Sequence, residues 1–366
     1  MTSLIYKYLN NKASEEEITQ LFDWIDSSSD HKKQFIAIKS AWVLTAGSNY
    51  RKEEAYKIIK QNKLKEKSRF RNYWKYAAIL VIALVTGNAI LNSPKEKLNN
   101  DITIELSNGE VKQIKYSKNN TFIKEDGIII GKQNENEIIF NNDTNTKELK
   151  YNTIKIPYGK TFKIILSDSS IVHLNAGTTF KFPEKFIASR NRDVYLTGEA
   201  FFEVTKNKES PFIVHSENVN IEVLGTKFNL STYSDDNYSH SELLEGSVKI
   251  SSSSNSNIYK ILEPNQQAVW NKKTNQFSLK TVKTSDYIAW LNDEIIFNNM
   301  PFSSLSKKLE RAYNINIINE NTSLANQDFT GTINVKESSV ESLFALLQLD
   351  TPFEYIIDKN TIRIKD

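Results

Sequence analysis

Residues 162–174, FKIILSDSSIVHL, predict the kind of structure that fills the larger part of this chain. Apolar side chains recur at every second position on both sides of a central Ser-Asp-Ser-Ser run: Phe162, Ile164 and Leu166 before it, Val172 and Leu174 after it. A period of two is typical of a half-buried β-strand, and the four polar residues are typical of a turn. The stretch therefore predicts a β-hairpin.

Short alternating runs continue toward the C-terminus, with glycines between them. The runs are Val194/Leu196, Phe202/Val204, Phe212/Val214, Val219/Ile221/Val223 and Phe228/Leu230, and the glycines are Gly198, Gly225 and Gly246. Many short strands with frequent turns and no helical pattern favour an all-β domain over residues 153–252, built as a sandwich or a β-helical stack. Residues 253–288 have the pattern of connecting strands.

The last part of the chain, residues 289–366, shows a different pattern. A strand at 294–297 leads to Pro301, a favoured first residue of a helix, and Ser338 with Glu341 forms a capping-box motif before a second helix. Further strand patterns lie around 315–318, 329–335, 353–357 and 361–365. The order β-α-β-β-α-β-β predicts a compact C-terminal α+β domain.

The longest apolar run, YAAILVIALVTGNAIL, lies on the N-terminal side at 76–91. Between positions 57 and 75, eight Lys and Arg residues stand against one Glu, whereas the basic residues after the run are matched by acidic ones. This asymmetry follows the positive-inside rule. It predicts one transmembrane helix at 73–92, although a buried helix of a globular domain is an alternative.

The predicted span places the chain in a bacterial inner membrane, with a cytoplasmic N-terminus and a periplasmic C-terminus. The expected membrane anchor consists of Tyr73, Trp74, Tyr76, Ile79, Leu80, Val81, Ile82, Leu84, Val85, Ile90 and Leu91. Residues 93–152 are rich in Asn, Lys and Glu, and we expect a periplasmic spacer with short strands there.

Residues 1–72 show the pattern of a small all-α bundle on the cytoplasmic side. Ser14 and Glu17 form a capping box, and apolar residues follow at helical spacing. Trp24 and Trp42 either complete the bundle core or belong to a wide apolar face that clasps a partner helix. DNA binding is disfavoured, because the first 45 residues hold no basic recognition helix.

The composition excludes several classes of protein. Without cysteine, the chain has no disulfide framework, no Cys-based zinc site and no thiol nucleophile. The net charge of +3, from 47 basic and 44 acidic residues, gives no argument for a direct nucleic-acid partner. The 39% of hydrophobic residues favours packed domains over wholesale disorder.

No catalytic arrangement stands out. The histidines are His31, His173, His215 and His240. His31 falls in the cytoplasmic part, His173 is expected at an exposed strand position, and His215 and His240 have no partner at metal-binding spacing. The run at 159–161, GKT, resembles the end of a phosphate loop but lacks the upstream glycine. Glu199 and Glu203 would share a strand face about 13 Å apart, too far for a glycosidase pair. We therefore expect no enzyme activity, no cofactor and no metal.

Six stretches of the central region occur in a particular order. They are IPYGKTFKIILSDSSIVHLNAGTTFKFPEKF (156–186), RDVYLTGEAFFEV (192–204), PFIV (211–214), VLGTKFNLSTY (223–233), LLEGSVKI (243–250) and LEPNQQA (262–268). This order and spacing resemble the FecR-type membrane-anchored anti-sigma factors, in the form common in Bacteroidetes. Residues 4–26 are similar to the cytoplasmic start of that family. The tail from 289 is similar to its C-terminal domain, which is like the short N-terminal domain of secretins and TonB-dependent receptors.

Two turns depart from the family pattern. The family's Asp-Gly-Thr is Asp168-Ser169-Ser170 here, and its Pro-Gly-Gln-Gln is Pro264-Asn265-Gln266-Gln267. The loss of glycine bears on the geometry of these two turns and not on the fold. Ser and Asn are both tolerated in turns, and Asn in particular accepts a positive φ.

The resemblance implies regulation without catalysis. Residues 1–72 would bind an extracytoplasmic-function sigma factor, and the region after the span would receive a signal from the signalling domain of a TonB-dependent outer-membrane transporter. An intramembrane protease would then release the sigma factor. Candidate sigma-binding residues are Tyr8, Leu9, Ile18, Leu21, Phe22, Trp24, Ile25, Phe35, Ile38 and Trp42. The alternative is a membrane-anchored periplasmic protein that binds a carbohydrate or another ligand.

Overall fold

The structure is a computed structural model that falls into two units, residues 1–95 and 96–366. It describes residues 1–9, 12–28, 31, 35, 100–115, 121–134, 137–140 and 149–365. The described part is mostly β, with 47% in strands and five short α-helices.

The described part of the first unit is a pair of helices, α1 (Thr2–Leu9) and α2 (Glu15–Asp26). The predicted capping box is confirmed: the Glu17 amide donates to Ser14 Oγ, and the Ser14 amide donates to the Glu17 carboxylate. A small apolar core joins the helices. It consists of buried Ile5, Leu21 and Ile25, with Leu4, Tyr8, Trp24 and Phe35 packed partly against it.

Two expectations for the N-terminal side are corrected. A small all-α bundle is not shown, because α1 and α2 are the only two helices whose bounds are described before position 96, with helical backbone at His31 and Phe35 besides. No helix in the described ranges is long and apolar enough to cross a membrane. The longest have 12 residues, or about 18 Å, against roughly 30 Å of hydrocarbon. This finding contradicts the single-pass inner-membrane placement. The span expected at 73–92, with all eleven anchor residues, lies outside the described residues.

Eighteen strands form the larger part of the second unit, which we call the β stack. They are β1 (Ile102–Glu105), β2 (Val111–Ile114), β3 (Thr121–Glu125), β4 (Ile128–Asn134), β5 (Glu137–Phe140), β6 (Tyr151–Lys155), β7 (Phe162–Ile165), β8 (Ile171–Leu174), β9 (Thr179–Pro183), β10 (Arg192–Glu203), β11 (Phe212–His215), β12 (Val219–Val223), β13 (Lys227–Thr232), β14 (Tyr238–Glu245), β15 (Val248–Ser252), β16 (Tyr259–Leu262), β17 (Gln266–Asn271) and β18 (Gln276–Thr281).

The strands form two layers around one apolar core. One layer has the order β2-β1-β6-β9-β10-β11-β12-β15-β16, and the other has the order β3-β4-β5-β7-β8-β10-β13-β14-β17-β18. The hairpin predicted at 162–174 is confirmed as β7 and β8, with Phe162 opposite Leu174. Its apolar side chains, such as Ile164 and Val172, are fully buried, as the alternation requires.

Strand β10 belongs to both layers. Its first half pairs with β9 and β11, and its second half, from Gly198, pairs with β8 and β13. Gly198 has φ +115°, and a Cβ there would lie 2.7 Å from the Thr178 Cα. Because only glycine accepts both the backbone angle and this close approach, it marks the point where the strand changes sheets.

A separate α+β domain follows a connecting segment, 282–293, that contains two short 3-10 turns. The domain contains β19 (Glu294–Pro301), α3 (Phe302–Tyr313), β20 (Asn316–Asn319), α4 (Thr322–Ala325), β21 (Asp328–Asn334), α5 (Val340–Asp350), β22 (Glu354–Asp358) and β23 (Thr361–Lys365). Its sheets are β19-β21 and β20-β23-β22. Phe302, Phe344 and their neighbours form an apolar core separate from that of the β stack.

The C-terminal domain differs from the expected pattern in two details. The short helix α4 between β20 and β21 was not predicted. The cap of α5 is Ser339, whose side chain accepts from the Ser342 amide, and the capping box predicted at Ser338 and Glu341 is therefore wrong.

Candidate functional site

The contact between the β stack and the C-terminal domain, which we call the domain junction, centres on Arg311 of α3. Its guanidinium donates to the Asp235 and Asp236 carboxylates at 2.7–2.9 Å and lies 3.6 Å from the centre of the Tyr233 ring. The Gly159 amide donates to the Arg311 carbonyl at 2.7 Å. Arg311 is only 5% exposed, so its charge is held out of water by a double ion pair and an aromatic face.

The electrostatics of Arg311 favour its charged form. Burial lowers the pKa of this guanidinium, but the hydrogen bonds and charge of Asp236 more than compensate and raise it. The guanidinium therefore stays charged at any pH at which the protein folds.

A buried polar network lies on the β-stack side of the junction. Glu199, on β10, accepts from Asn175 Nδ2 at 2.8 Å and from Asn229 Nδ2 at 3.0 Å. The same Asn229 amide donates to Glu242, on β14, also at 3.0 Å. The Glu242 carboxylate pairs with the His240 imidazole at 2.7 Å. Two carboxylates are thus linked through one amide, because strands β10, β13 and β14 are adjacent.

The His240–Glu242 pair shifts the pKa of both groups. Burial disfavours each charged form, yet the charge and hydrogen bond of Glu242 raise the pKa of His240. Burial likewise opposes ionisation of Glu242, but the charge and hydrogen bond of His240 lower its pKa. The arrangement therefore favours an ion pair in the interior.

Above this network lies a cavity of about 130 Å³. Its lining comes from three parts of the chain: Glu199, Tyr233 and His240 from the β stack, Tyr287 and Trp290 from the connecting segment, and Lys308 and Arg311 from α3. Cavities where two domains meet, lined by aromatic rings with a few convergent polar groups, are common ligand sites.

A second pair of buried carboxyl groups lies elsewhere in the β stack. Glu125 and Glu184, at the ends of β3 and β9, are 4% and 5% exposed and form a hydrogen bond with each other. Burial, together with the hydrogen bond and the charge of Glu125, raises the pKa of Glu184 to about 7. Burial opposes ionisation of Glu125, but the hydrogen bonds with Glu184, the Ser107 hydroxyl and the Asn108 amide together lower its pKa.

The candidate sigma-binding residues fall into four groups. Leu21 and Ile25 are buried in the helix-pair core and Phe35 packs against it, while the backbone alone is described at Leu9. Phe22 is 43% exposed, and its ring meets the edge of Tyr8 at 5.7 Å. Ile18 and Trp24 are half-buried, and Trp24 stacks on His31. Ile38 and Trp42 lie outside the described residues.

The residues considered for catalysis have structural partners. Glu199 accepts hydrogen bonds from Asn175 and Asn229, and Glu203 pairs with Lys227 at 3.0 Å. His173 and His215 lie near Glu203 and Asp193, at 3.6 Å and 2.7 Å. Within the described part of the chain, no cluster of three or more His, Cys, Asp or Glu residues is arranged to hold a metal.

The residues of the junction were missed in the sequence. Asp235 and Asp236 are separated from Arg311 by more than 70 positions, and Asn229 and Glu242 look like ordinary strand residues. The one available signal was Glu199, a carboxylate placed among apolar residues in GEAFF. A charged residue inside an apolar strand indicates a buried partner, although not which one.

Comparison with known proteins matches two parts of this unit to family models. Residues 152–249 match the FecR protein family, and residues 294–364 match the FecR C-terminal family. No curated protein matches the chain significantly.

Two solved structures are similar to more than half of this chain. A crystal structure of a "putative anti-sigma factor" from Parabacteroides distasonis ATCC 8503 is 29% identical, with a TM-score of 0.54 over 58% of this chain and 99% of its own. A second crystal structure with that description, from the same organism, is 28% identical, with a TM-score of 0.55 over 59% and 99%. The resemblance inferred from the sequence is confirmed: the chain contains a FecR domain followed by a FecR C-terminal domain.

Proposed function

We propose that this chain is an anti-sigma factor that binds an extracytoplasmic-function sigma factor through its N-terminal helices. The observation that carries the proposal is the similarity, over 99% of their own length, to two structures described as anti-sigma factors that are 28% and 29% identical to it. The two FecR family matches support the same role. The function is regulatory.

The exposed side of α2 is the surface that we assign to the sigma factor. Phe22 and Ile18 lie one turn apart on the same side of the helix, and the 43% exposure of Phe22 leaves part of its ring available to a partner. Leu21 and Ile25 hold the two helices together and would support this surface from below. An amphipathic helix that presents an aromatic anchor is a common way to fill a groove.

The proposal includes a signal and a release step. The second unit, with its FecR and FecR C-terminal domains, would receive the signal from the signalling domain of a TonB-dependent transporter. Proteolysis of the chain would then free the sigma factor. These steps follow from the family resemblance.

The test is co-purification of the full chain with the sigma factor encoded nearest to its gene. We expect a stoichiometric complex that prevents the sigma factor from binding core RNA polymerase. Phe22→Ala should weaken the complex about tenfold or more, because a central aromatic anchor contributes about 2 kcal/mol. Gln20→Ala, on the opposite side of α2, is the matched control and should bind like the wild type.

A failure to form a complex with any extracytoplasmic-function sigma factor of the host would overturn the proposal. Equal binding by the wild type and the Phe22 variant would overturn the assignment of the surface while leaving the function standing.

A further inference from the structure

The cavity at the domain junction has an unpaired carboxylate on one wall. Glu199 is 7% exposed, and within the described residues its two oxygens accept from the neutral amides of Asn175 and Asn229 and form no ion pair. His240 also faces the cavity and feels the charge of Glu199, but its hydrogen bond and ion pair go to Glu242. Since a buried charge is costly unless a charge of opposite sign compensates it, Glu199 calls for a cationic group in the cavity.

The other carboxylates that line the cavity would gain less from a bound cation than Glu199. Three have ion-pair partners: Asp236 with Arg311, Asp286 with Lys283, and Asp293 with Lys336. Glu294 has none among the described residues, but it is only half-buried, at the start of β19, whereas Glu199 is buried. Glu199 is therefore the carboxylate of the lining that a bound cation would stabilise most.

The lining also carries unpaired donors from other parts of the chain. Lys308, on α3, is half-buried and forms no ion pair or hydrogen bond within the part of the chain that the structure describes. The indole Nε1 of Trp290 is fully buried and has no acceptor in the same part of the chain. An ammonium group and an N–H donor together match a carboxylate.

We propose that this cavity binds a small zwitterion, a molecule with one ammonium and one carboxylate group such as a free amino acid. Its ammonium group meets Glu199, and its carboxylate meets Lys308 and the Trp290 indole. The Tyr287 ring, which also lines the cavity, suits an ammonium group, whereas the Tyr233 ring already lies against the Arg311 guanidinium. The volume of about 130 Å³ limits the ligand to a small molecule.

The position of the cavity gives binding a structural effect. Glu199 lies in the β stack and Lys308 in the C-terminal domain, and the two domains have separate apolar cores. A ligand that contacts both walls favours the docked arrangement of the domains, and this stabilisation grows with ligand concentration.

The experiment uses the full chain and needs no sigma factor, so its outcome is independent of the proposed anti-sigma function. The probe is a mixture of the common amino acids at millimolar concentration, followed by each one alone, with acetate and ethylammonium as single-charge controls. We expect at least one amino acid to raise the thermal midpoint and to bind in calorimetry, and to protect residues 282–293 from protease. Neither single-charge control should do so.

Two variants locate the site. Glu199→Gln keeps the shape of the side chain and Lys308→Met keeps its stem, and each should lower the affinity at least tenfold. Glu203→Gln, four residues along the same strand and outside the lining, and Lys280→Met, on the exposed strand β18, are matched controls and should bind like the wild type.

Three results would overturn the proposal. The first is no amino acid binding to the wild type, and the second is unchanged affinity in both site variants. The third is equal binding of acetate or ethylammonium, because a single charge would then suffice.

Discussion

The two layers of the β stack are held together in one way, and the stack and the C-terminal domain are held together at the domain junction in another. The stack has one continuous apolar core shared by both layers, and strand β10 pairs with neighbours in each of them. At the junction, two separate cores meet through the ion pairs of Arg311, a few hydrogen bonds and a cavity. Contacts that depend on a few polar groups can be broken without unfolding either core, so the junction is the place where this unit is able to rearrange.

The largest effect should follow from removing a ring in the core of the stack. Phe202 is fully buried and stacks on Phe228 with ring centres 4.9 Å apart. Phe202→Ala should lower the free energy of unfolding by about 3–5 kcal/mol, because it removes apolar contacts and leaves a cavity. Chemical denaturation measures this loss.

The matched control for that variant is Phe122→Ala, on the exposed side of β3. Phe122 is 54% exposed, and its loss should change the stability by less than about 0.5 kcal/mol. Equal losses of unfolding free energy in the two variants would show that burial of Phe202 does not stabilise the stack.

A smaller and different effect is expected from Arg311→Gln. The variant removes the guanidinium from Asp235 and Asp236 and leaves only the Lys307 ammonium, 3.7 Å from Asp236. Because both carboxylates can regain water, the cost should be about 2–3 kcal/mol. Undocking should appear as faster proteolysis within residues 282–293, while the far-ultraviolet circular dichroism of the folded domains stays unchanged.

Arg363→Gln is the control for the junction variant. Arg363 pairs with Glu320 at the surface, where both side chains are 48% exposed, and its loss should cost below about 1 kcal/mol. If Arg311→Gln were as mild as Arg363→Gln, the domains would be held together by something other than the buried guanidinium.

The buried carboxyl groups of Glu125 and Glu184 predict that the stability of the β stack depends on pH. The pKa of Glu184 is about 7 in the folded protein, above its ordinary value of 4.5, so folding favours the protonated form. The associated stability is present at low pH and is lost as the pH rises from about 5 toward 8. Glu184→Gln should make the free energy of unfolding fall less with pH when it is measured across that range. The exposed Glu209→Gln should leave it unchanged, and a decline that persists in the Glu184 variant would rule out this carboxyl group as its source.

The smallest effect concerns the turn of the first predicted hairpin. Ser169 has φ +67°, a left-handed conformation that costs an ordinary residue about 1–2 kcal/mol. Ser169→Gly should raise the stability by about 0.5 kcal/mol, since the flexibility of glycine in the unfolded chain offsets part of the gain. Asn265, at φ +66°, is a comparison position where glycine should gain less, because Asn tolerates this backbone. A loss of stability in Ser169→Gly would show that the serine contributes more than its backbone angle suggests.

Local patterns predicted local structure well. The alternation at 162–174 indicated the hairpin β7–β8, and the Ser14 and Glu17 spacing indicated the start of α2. These predictions succeed because a strand needs one apolar face and a helix start needs a partner for its free amides. The apolar run at 76–91 was interpreted in the same way, from its length and flanking charges alone. The membrane placement derived from it is contradicted.

The pairing of distant elements could not be predicted. An alternating strand indicates which side chains are buried but not which strand lies beside it, so the sequence suggested two short runs around Gly198 where the structure has one strand in two sheets. The same limit hid the junction, because Asp236 and Arg311 are ordinary charged residues until the fold brings them together. Polar sites assembled from distant segments leave no periodic signal.

The two-sheet pairing of β10 has a mechanical consequence. A force that stretches the chain would load this strand through hydrogen bonds to four neighbours at once, and each sheet would resist in shear. Rupture under load depends on the barrier to unfolding rather than on equilibrium stability. The polar junction, a weak link in series with the stack, should therefore yield at low force while the stack stays intact, so that tension on this protein would separate its domains long before it unravelled them.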